Sequence, residues 1–155
     1  MSGGGMMVWA GISSLGKTEI VFVRGKMNSE SYQEILSNFL IPFLDRWPNL
    51  EIIFQQDNAS VHASASTRQW LLDSSIETLP WPAKSPDLSP IENVWAMLVR
   101  DVYGNGKQYN TVSELKDGIR AVWDRLSQEK VAKLIESMNK RLVEVVSNKG
   151  GMTHY

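Results

Sequence analysis

Apolar residues along this chain change their period twice, and that alternation restricts the fold more than any other feature. Residues 6–13 (MMVWAGIS) and 19–24 (EIVFVR) are β-rich runs separated by Ser14-Leu15-Gly16-Lys17, the pattern of an antiparallel hairpin. Tyr32, Ile35, Leu36, Phe39, Leu40, Phe43 and Leu44 then recur at the 3.6-residue helical period. Residues 50–57 (LEIIFQQD) return to an apolar strand that turns polar at its C-terminal end. Strands and a one-sided helix must bury their apolar faces against one another, so the class is mixed α/β.

The remaining punctuation completes the order. Asn28 or Ser29 caps the long helix, and Pro42 bends or ends its last turn. A helix over 64–73 and a short strand over 76–79 come next. The prolines of 80–86 (PWPAKSP) exclude a helix there. Ile91, Val94, Trp95, Leu98 and Val102 line one side of the following helix, which Gly104 and Gly106 break. Two further helices are expected over 112–126 and 128–146, with Gly150-Gly151 ending the second. There is no internal repeat and no low-complexity linker, so residues 1–155 are expected to form one globular domain.

Asp57 and Glu92 frame a run of thirty-four residues and have complementary settings. Asp57 closes a strand, whereas Glu92, in Ser89-Pro90-Ile91-Glu92, falls in the first turn of a helix. Carboxylates so placed can converge on one side of a sheet. A hard divalent cation such as Mg²⁺ takes carboxylate oxygens and keeps open positions for water and phosphate. Each residue has a plainer reading too. Asp-Asn after a strand is ordinary turn chemistry. Ser89-x-x-Glu92 with Pro90 at the first helical position is a capping box, and Thr111-x-x-Glu114 repeats it with no site attached. If Glu92 binds metal, the cap rests on Ser89 alone.

Composition narrows the classes. With 43% hydrophobic residues the chain can build a core, and its zero cysteines exclude a disulfide scaffold and thiolate metal sites. No apolar run approaches the roughly 20 residues that span a bilayer, and the N-terminus lacks the features of a secretory signal. A net charge of -1 excludes a basic nucleic-acid module by bulk charge. Residues 1–99 carry 6 Lys and Arg against 10 Asp and Glu, and residues 100–155 carry 10 against 7. Solvated helix faces account for that asymmetry more simply than a dedicated phosphate surface. Of the six tryptophans, Trp95 and Trp123 lie on apolar helix stripes and read as core, although indoles can also stack on unpaired bases.

The words QQDNASVH and WPAKSPDLSPIENVW, with GGGMMVWAGIS, GKTEIVFVRGKMNSESY, GNGKQYNTVSELK and NKGGMTHY, resemble the catalytic domain of mariner-superfamily transposases of the Tc branch, nearly end to end. Those enzymes cut and rejoin DNA with an Asp-Asp-Glu triad. The resemblance implies a ribonuclease H-like mixed sheet with flanking helices. It makes Asp57 and Glu92 the second and third acids, catalytic residues and metal ligands, with Mg²⁺ as cofactor and Mn²⁺ able to substitute. Asn58 and His62 complete the first word and are expected near the site, His62 beside the scissile phosphate. Transposon-end DNA is the implied partner and a homodimer an allowed assembly, with a nuclear location, no membrane and no small-molecule substrate.

The same resemblance implies two missing parts. The family's first acid sits on an earlier, central strand, and its site-specific DNA binding belongs to an N-terminal helix-turn-helix. No residue here matches either. The acids before Asp57 are Glu19, Glu30, Glu34, Asp45 and Glu51, none on a central strand. The chain is therefore expected to be an N-terminally truncated catalytic domain, inactive alone, with a gap in its sheet. The alternative is a non-catalytic, transposon-derived remnant acting as a protein- or DNA-interaction module.

Overall fold

The computed structural model describes residues 6–56, 59–79 and 89–138. The chain divides into two compact units, Met1–Trp9 with Val21–Lys84, and Ala10–Ile20 with Ser85–Tyr155.

In the first unit, β1 (Met7–Trp9) pairs antiparallel with β4 (Val21–Val23), Val8 opposite Phe22. Helix α1 (Ser29–Ile35) starts at Asn28, whose Oδ1 accepts from the Ser31 amide at 2.8 Å. The long helix does not stop at Pro42. It widens into a π-type turn over Leu36–Leu40, where Ile41 N–H bonds to the Leu36 carbonyl, and resumes as α2 (Ile41–Leu44). Proline cannot donate to the carbonyl four residues back, and its ring collides with that carbonyl in a regular helix. One wide turn ahead of it relieves both problems and keeps the apolar stripe on one face. Tyr32, Leu36 and Leu40 pack against Leu71 of α3 (Ala65–Asp73) and against Ile76. Leu36 is wholly buried, which stabilises the unit by about 1.5–3 kcal/mol over leaving it in water.

Two expectations fail in this unit. Of the strand expected over 50–57, the described residues 50–56 keep one parallel bridge, Phe54 to Thr78, with Phe54 N–H on the Glu77 carbonyl and Leu79 N–H on that of Phe54. The strand expected over 76–79 shrinks with it. An extended segment becomes a strand only along the length of its partner, and among the described residues no ladder joins Phe54 to the β1–β4 pair.

The second unit corrects the hairpin. Residues 6–13 do not form one strand, because β2 (Ile12–Ser13) leaves β1 and makes its own tight hairpin with β3 (Gly16–Lys17). Ser13 Oγ organises the turn, accepting from the Leu15 and Gly16 amides and donating to the Gly16 carbonyl. Thr18 then ties off the pair, its Oγ1 accepting from Gly11 N–H at 2.8 Å and its carbonyl accepting from the Trp123 indole at 2.9 Å. The hairpin thus belongs to α5 (Val112–Arg125), not to β1. Lys17 spans the same junction, with its ammonium on the Leu126 carbonyl and over the Trp123 ring. Burial lowers its pKa below the usual 10.5, and Asp124 opposes that shift.

Val94, Leu98 and Val102 of α4 (Pro90–Val102), Val122 and Trp123 of α5 and Val131 of α6 (Gln128–Glu136) are buried in this unit, where α4 packs on both α5 and α6. Trp123 is core as expected, and half-buried Trp95 stacks on it with ring centroids 6.0 Å apart. After α4 the chain turns through a 3₁₀ element, Gly104–Gly106, with Asn105 in the left-handed region. Gly118 in α5 exists for a contact: a Cβ there would lie 2.8 Å from the Tyr109 ring, whose hydroxyl donates to the Val102 carbonyl. The end of the last expected helix, beyond residue 138, lies outside the described residues. No described helix is long and apolar enough to cross a membrane.

Candidate functional site

The turn after Gln56 is gripped through its own carbonyls. Val61 C=O accepts from Thr67 Oγ1 at 2.7 Å, His62 C=O from Gln56 Nε2 at 3.1 Å, and Ala63 C=O from Arg68 Nε at 2.8 Å. Loop carbonyls ordinarily face water, yet here three in succession take side-chain donors. Two of the donors come from α3, which begins at Ser64, and the third from the residue that immediately precedes Asp57 in sequence.

Helix α1 reaches the same turn with one face. Ser29, Tyr32 and Gln33 are spaced i, i+3, i+4 and so project together. Ser29 Oγ donates to Ser64 Oγ at 2.9 Å, and Gln33 Nε2 reaches Ser66 and Thr67. Tyr32 is 1% exposed, and its hydroxyl donates to Gln56 Oε1 at 2.5 Å. Its ring stacks on His62 with centroids 4.1 Å apart and planes inclined by 28°. Of the expected site residues, His62 is therefore half-buried and fixed against the core. Asp57 and Asn58 lie outside the described residues.

Glu92 occupies the first turn of α4, as expected, and is exposed. The capping box at this helix is not formed. Ser89 is the N-cap, but its side chain makes no capping bond, and the Glu92 amide donates to the Ser89 carbonyl instead. The same signature at α5 does form: Thr111 Oγ1 accepts from the Glu114 amide, and Glu114 Oε2 accepts from the Asn110 amide. With Pro90 at the first position one orphan amide is absent anyway, so α4 has less to cap. No described hydrogen bond or ion pair engages the Glu92 carboxylate, which leaves its oxygens available to a hard cation. Among the described residues no group of three or more His, Asp or Glu could hold a metal ion by itself. The second unit also has a cavity of about 340 Å³, which takes Met97, Asp101, Lys107, Arg125 and Lys130 into its lining and leaves Glu92 out.

Residues 2–116 match the DDE superfamily endonuclease family. The chain belongs to that family. It is 43% identical to the Tc3 transposase of Caenorhabditis elegans over 153 residues, 99% of this chain and 46% of that relative. The Tcb1 transposase of Caenorhabditis briggsae is 31% identical over the same share of this chain and 55% of its own length. This chain thus spans about half the length of the curated relatives it matches. Its fold matches the Mos1 transposase catalytic domain, solved with Raltegravir and Mn, at a TM-score of 0.86 and 22% identity over 96% of this chain and 78% of that one. The Mos1 mariner paired end complex with Mn matches at the same TM-score over 45% of its chain. The ribonuclease H-like α/β expectation stands on that fold.

The family match covers Asp57, Glu92 and the turn between Gln56 and Ser64. What sequence reading missed in this DDE domain is the support for that turn. Tyr32 was legible only as an apolar position of a helical stripe, and Gln56 only as a letter before the acid. A signal was present nonetheless: a tyrosine inside an otherwise aliphatic stripe needs a partner for its hydroxyl.

Proposed function

We propose that the chain is the catalytic part of a Tc-type transposase, which cleaves and joins DNA at transposon ends with divalent metal ions held by Asp57 and Glu92. The observation that carries this reading is Glu92 itself. Its carboxylate stands exposed at the start of α4, unused by the cap that its sequence could have formed, inside a DDE-family match that also contains Asp57. A side chain spared from structural work at a helix start has a place for another role.

The residues fit a hard cation by donor type, since two carboxylates supply oxygen ligands of the kind Mg²⁺ and Mn²⁺ take. Bound there, the ions would supply Lewis acidity to the scissile phosphate and lower the pKa of the attacking water. Asp57 and Glu92 hold and orient. His62, with its ring stacked on Tyr32, offers a fixed edge for a water or a DNA backbone oxygen rather than a swinging side chain. Two ions on one phosphate require a third acid as a shared ligand. Glu30 and Glu34 lie on the long helix, Asp45 caps its end, and Glu19 and Glu51 are exposed outside any strand, so none of them serves. Our reading is that these 155 residues do not cleave DNA without such a third acid.

The family match over residues 2–116 enters both compact units, and the Tc3 transposase aligns over 153 residues, which supports one catalytic domain over residues 1–155. The paired end complexes of Mos1, one of them with a left transposon end, support transposon-end DNA as partner; a homodimer as assembly and the nucleus as location belong to the same proposal. Cleavage of a supercoiled plasmid carrying terminal repeats tests the proposal. The chain alone should not nick at millimolar Mg²⁺ or Mn²⁺. A chimera extended at its N-terminus with the corresponding part of the Tc3 transposase should cleave, and should lose cleavage in Asp57→Asn and in Glu92→Gln. A chimera that cleaves equally well with either substitution contradicts the assignment.

A further inference from the structure

We infer that Tyr32 and Gln56 are positioning residues for the acid-bearing turn, acting as one relay from the core of the first unit to the backbone on both sides of Asp57; this rests on the role proposed for Asp57. A core tyrosine is a costly choice where phenylalanine would pack as well, because a buried hydroxyl without a partner loses about 1–3 kcal/mol. Here the hydroxyl is used. It donates to Gln56 Oε1, and the same amide donates through Nε2 to the His62 carbonyl. One side chain thereby ties residue 56, which enters the turn, to residue 62, which leaves it. Because the Tyr32 ring also stacks on the His62 imidazole, α1 fixes both the backbone and the ring of that residue. Asp57 is covalently bonded to Gln56, the middle member of this relay.

The rest of the cluster agrees in direction. Ser29 and Gln33, on the same face of α1, engage Ser64 and Thr67, and Thr67 in turn holds the Val61 carbonyl. Nothing about a plain turn demands a three-element network beneath it, anchored on the buried Tyr32 and Thr67. A carboxylate that must meet a metal ion does, since partners behind the ligands orient them, and losing such a partner costs about 10–100-fold in metal affinity or activity.

The test uses the 155-residue chain, Tyr32→Phe and Gln56→Met. Tyr32→Phe keeps the ring, its burial and the stack on His62, and removes the hydroxyl that makes the relay's first bond. Amide exchange at His62 and Ala63 should quicken about tenfold in both variants while the Leu36 and Leu71 amides stay unchanged. Mn²⁺ affinity, read by electron paramagnetic resonance, should fall about tenfold in each, in line with the loss of a supporting partner. The double variant should fall no further than Gln56→Met alone, because the two act in series. Unchanged exchange at His62 and Ala63 in Tyr32→Phe overturns the relay. So does a loss of Mn²⁺ affinity in the double variant that equals both single losses combined. Asp57→Ala separates the two claims: Mn²⁺ binding that survives it, or is absent from the unaltered chain, overturns the role given to Asp57, while the exchange result still decides the relay.

Discussion

Thr67 Oγ1 lies 2.7 Å from the Val61 carbonyl and donates to it, from a side chain with no solvent exposure. Its hydroxyl also accepts from Ser64 and Gln33, so a single β-branched residue joins α1, α3 and the turn after Gln56. Thr67→Val has nearly the same volume and cannot make these bonds. It should destabilise the first unit by about 1–3 kcal/mol, the cost of buried polar groups left unpaired. Thr67→Ser should retain more of that stability. Denaturant midpoints at constant slope measure both, and equal stability of Thr67→Val and the unaltered chain would contradict the network.

Two identical signatures should respond differently. Thr111→Ala removes a formed cap on α5 and should cost about 1 kcal/mol. Ser89→Ala and Glu92→Gln touch no capping bond at α4 and should stay within about 0.5 kcal/mol of the unaltered chain. Thermal melts of the three variants decide it.

Gly118→Ala should destabilise, against its helix propensity. Alanine gains up to about 1 kcal/mol over glycine inside a helix, but the new methyl would sit 2.8 Å from the Tyr109 ring and its hydroxyl oxygen. Displacing that ring breaks its bond to the Val102 carbonyl, so overpacking of about 1–3 kcal/mol outweighs the gain. Gly118→Ala combined with Tyr109→Ala should recover the propensity gain, which a double-mutant cycle reads directly.

Lys17 sets an alkaline signature. Its folded pKa lies below 10.5 because burial disfavours the ammonium, with Asp124 only partly offsetting that. Between the folded value and 10.5 the unfolded chain binds more protons at this site, so stability from this group rises with pH through that window and is level above it. The difference in stability between the chain and Lys17→Met, followed into alkaline pH, should show this rise. A difference that falls with pH would reverse the assignment.

The helices were legible in the sequence because each carries its own signal: the stripe from Tyr32 to Leu44, the cap residues Asn28 and Thr111, and the glycines after Val102. The strands were not, because a strand depends on a partner elsewhere. Residues 10–20 read as the middle of one hairpin, yet the Trp123 indole, more than a hundred residues away, claims the Thr18 carbonyl and splits it. Phe54 kept a single bridge for the same reason. At the site, Glu92 was placed correctly while its box was not, since Ser89-x-x-Glu92 names groups that can bond without fixing whether they do. Tyr32 stayed hidden because periodicity registers its ring and not its hydroxyl.

Joint metal binding by Asp57 and Glu92 is the central claim, and a crystal structure of the chain grown with Mn²⁺ tests it most directly. The claim predicts an anomalous peak in contact with an oxygen of each carboxylate, at about 2.1–2.2 Å, with the two carboxyl groups about 4–8 Å apart. Carboxylates on opposite faces, or Mn²⁺ bound only at other residues, would contradict it.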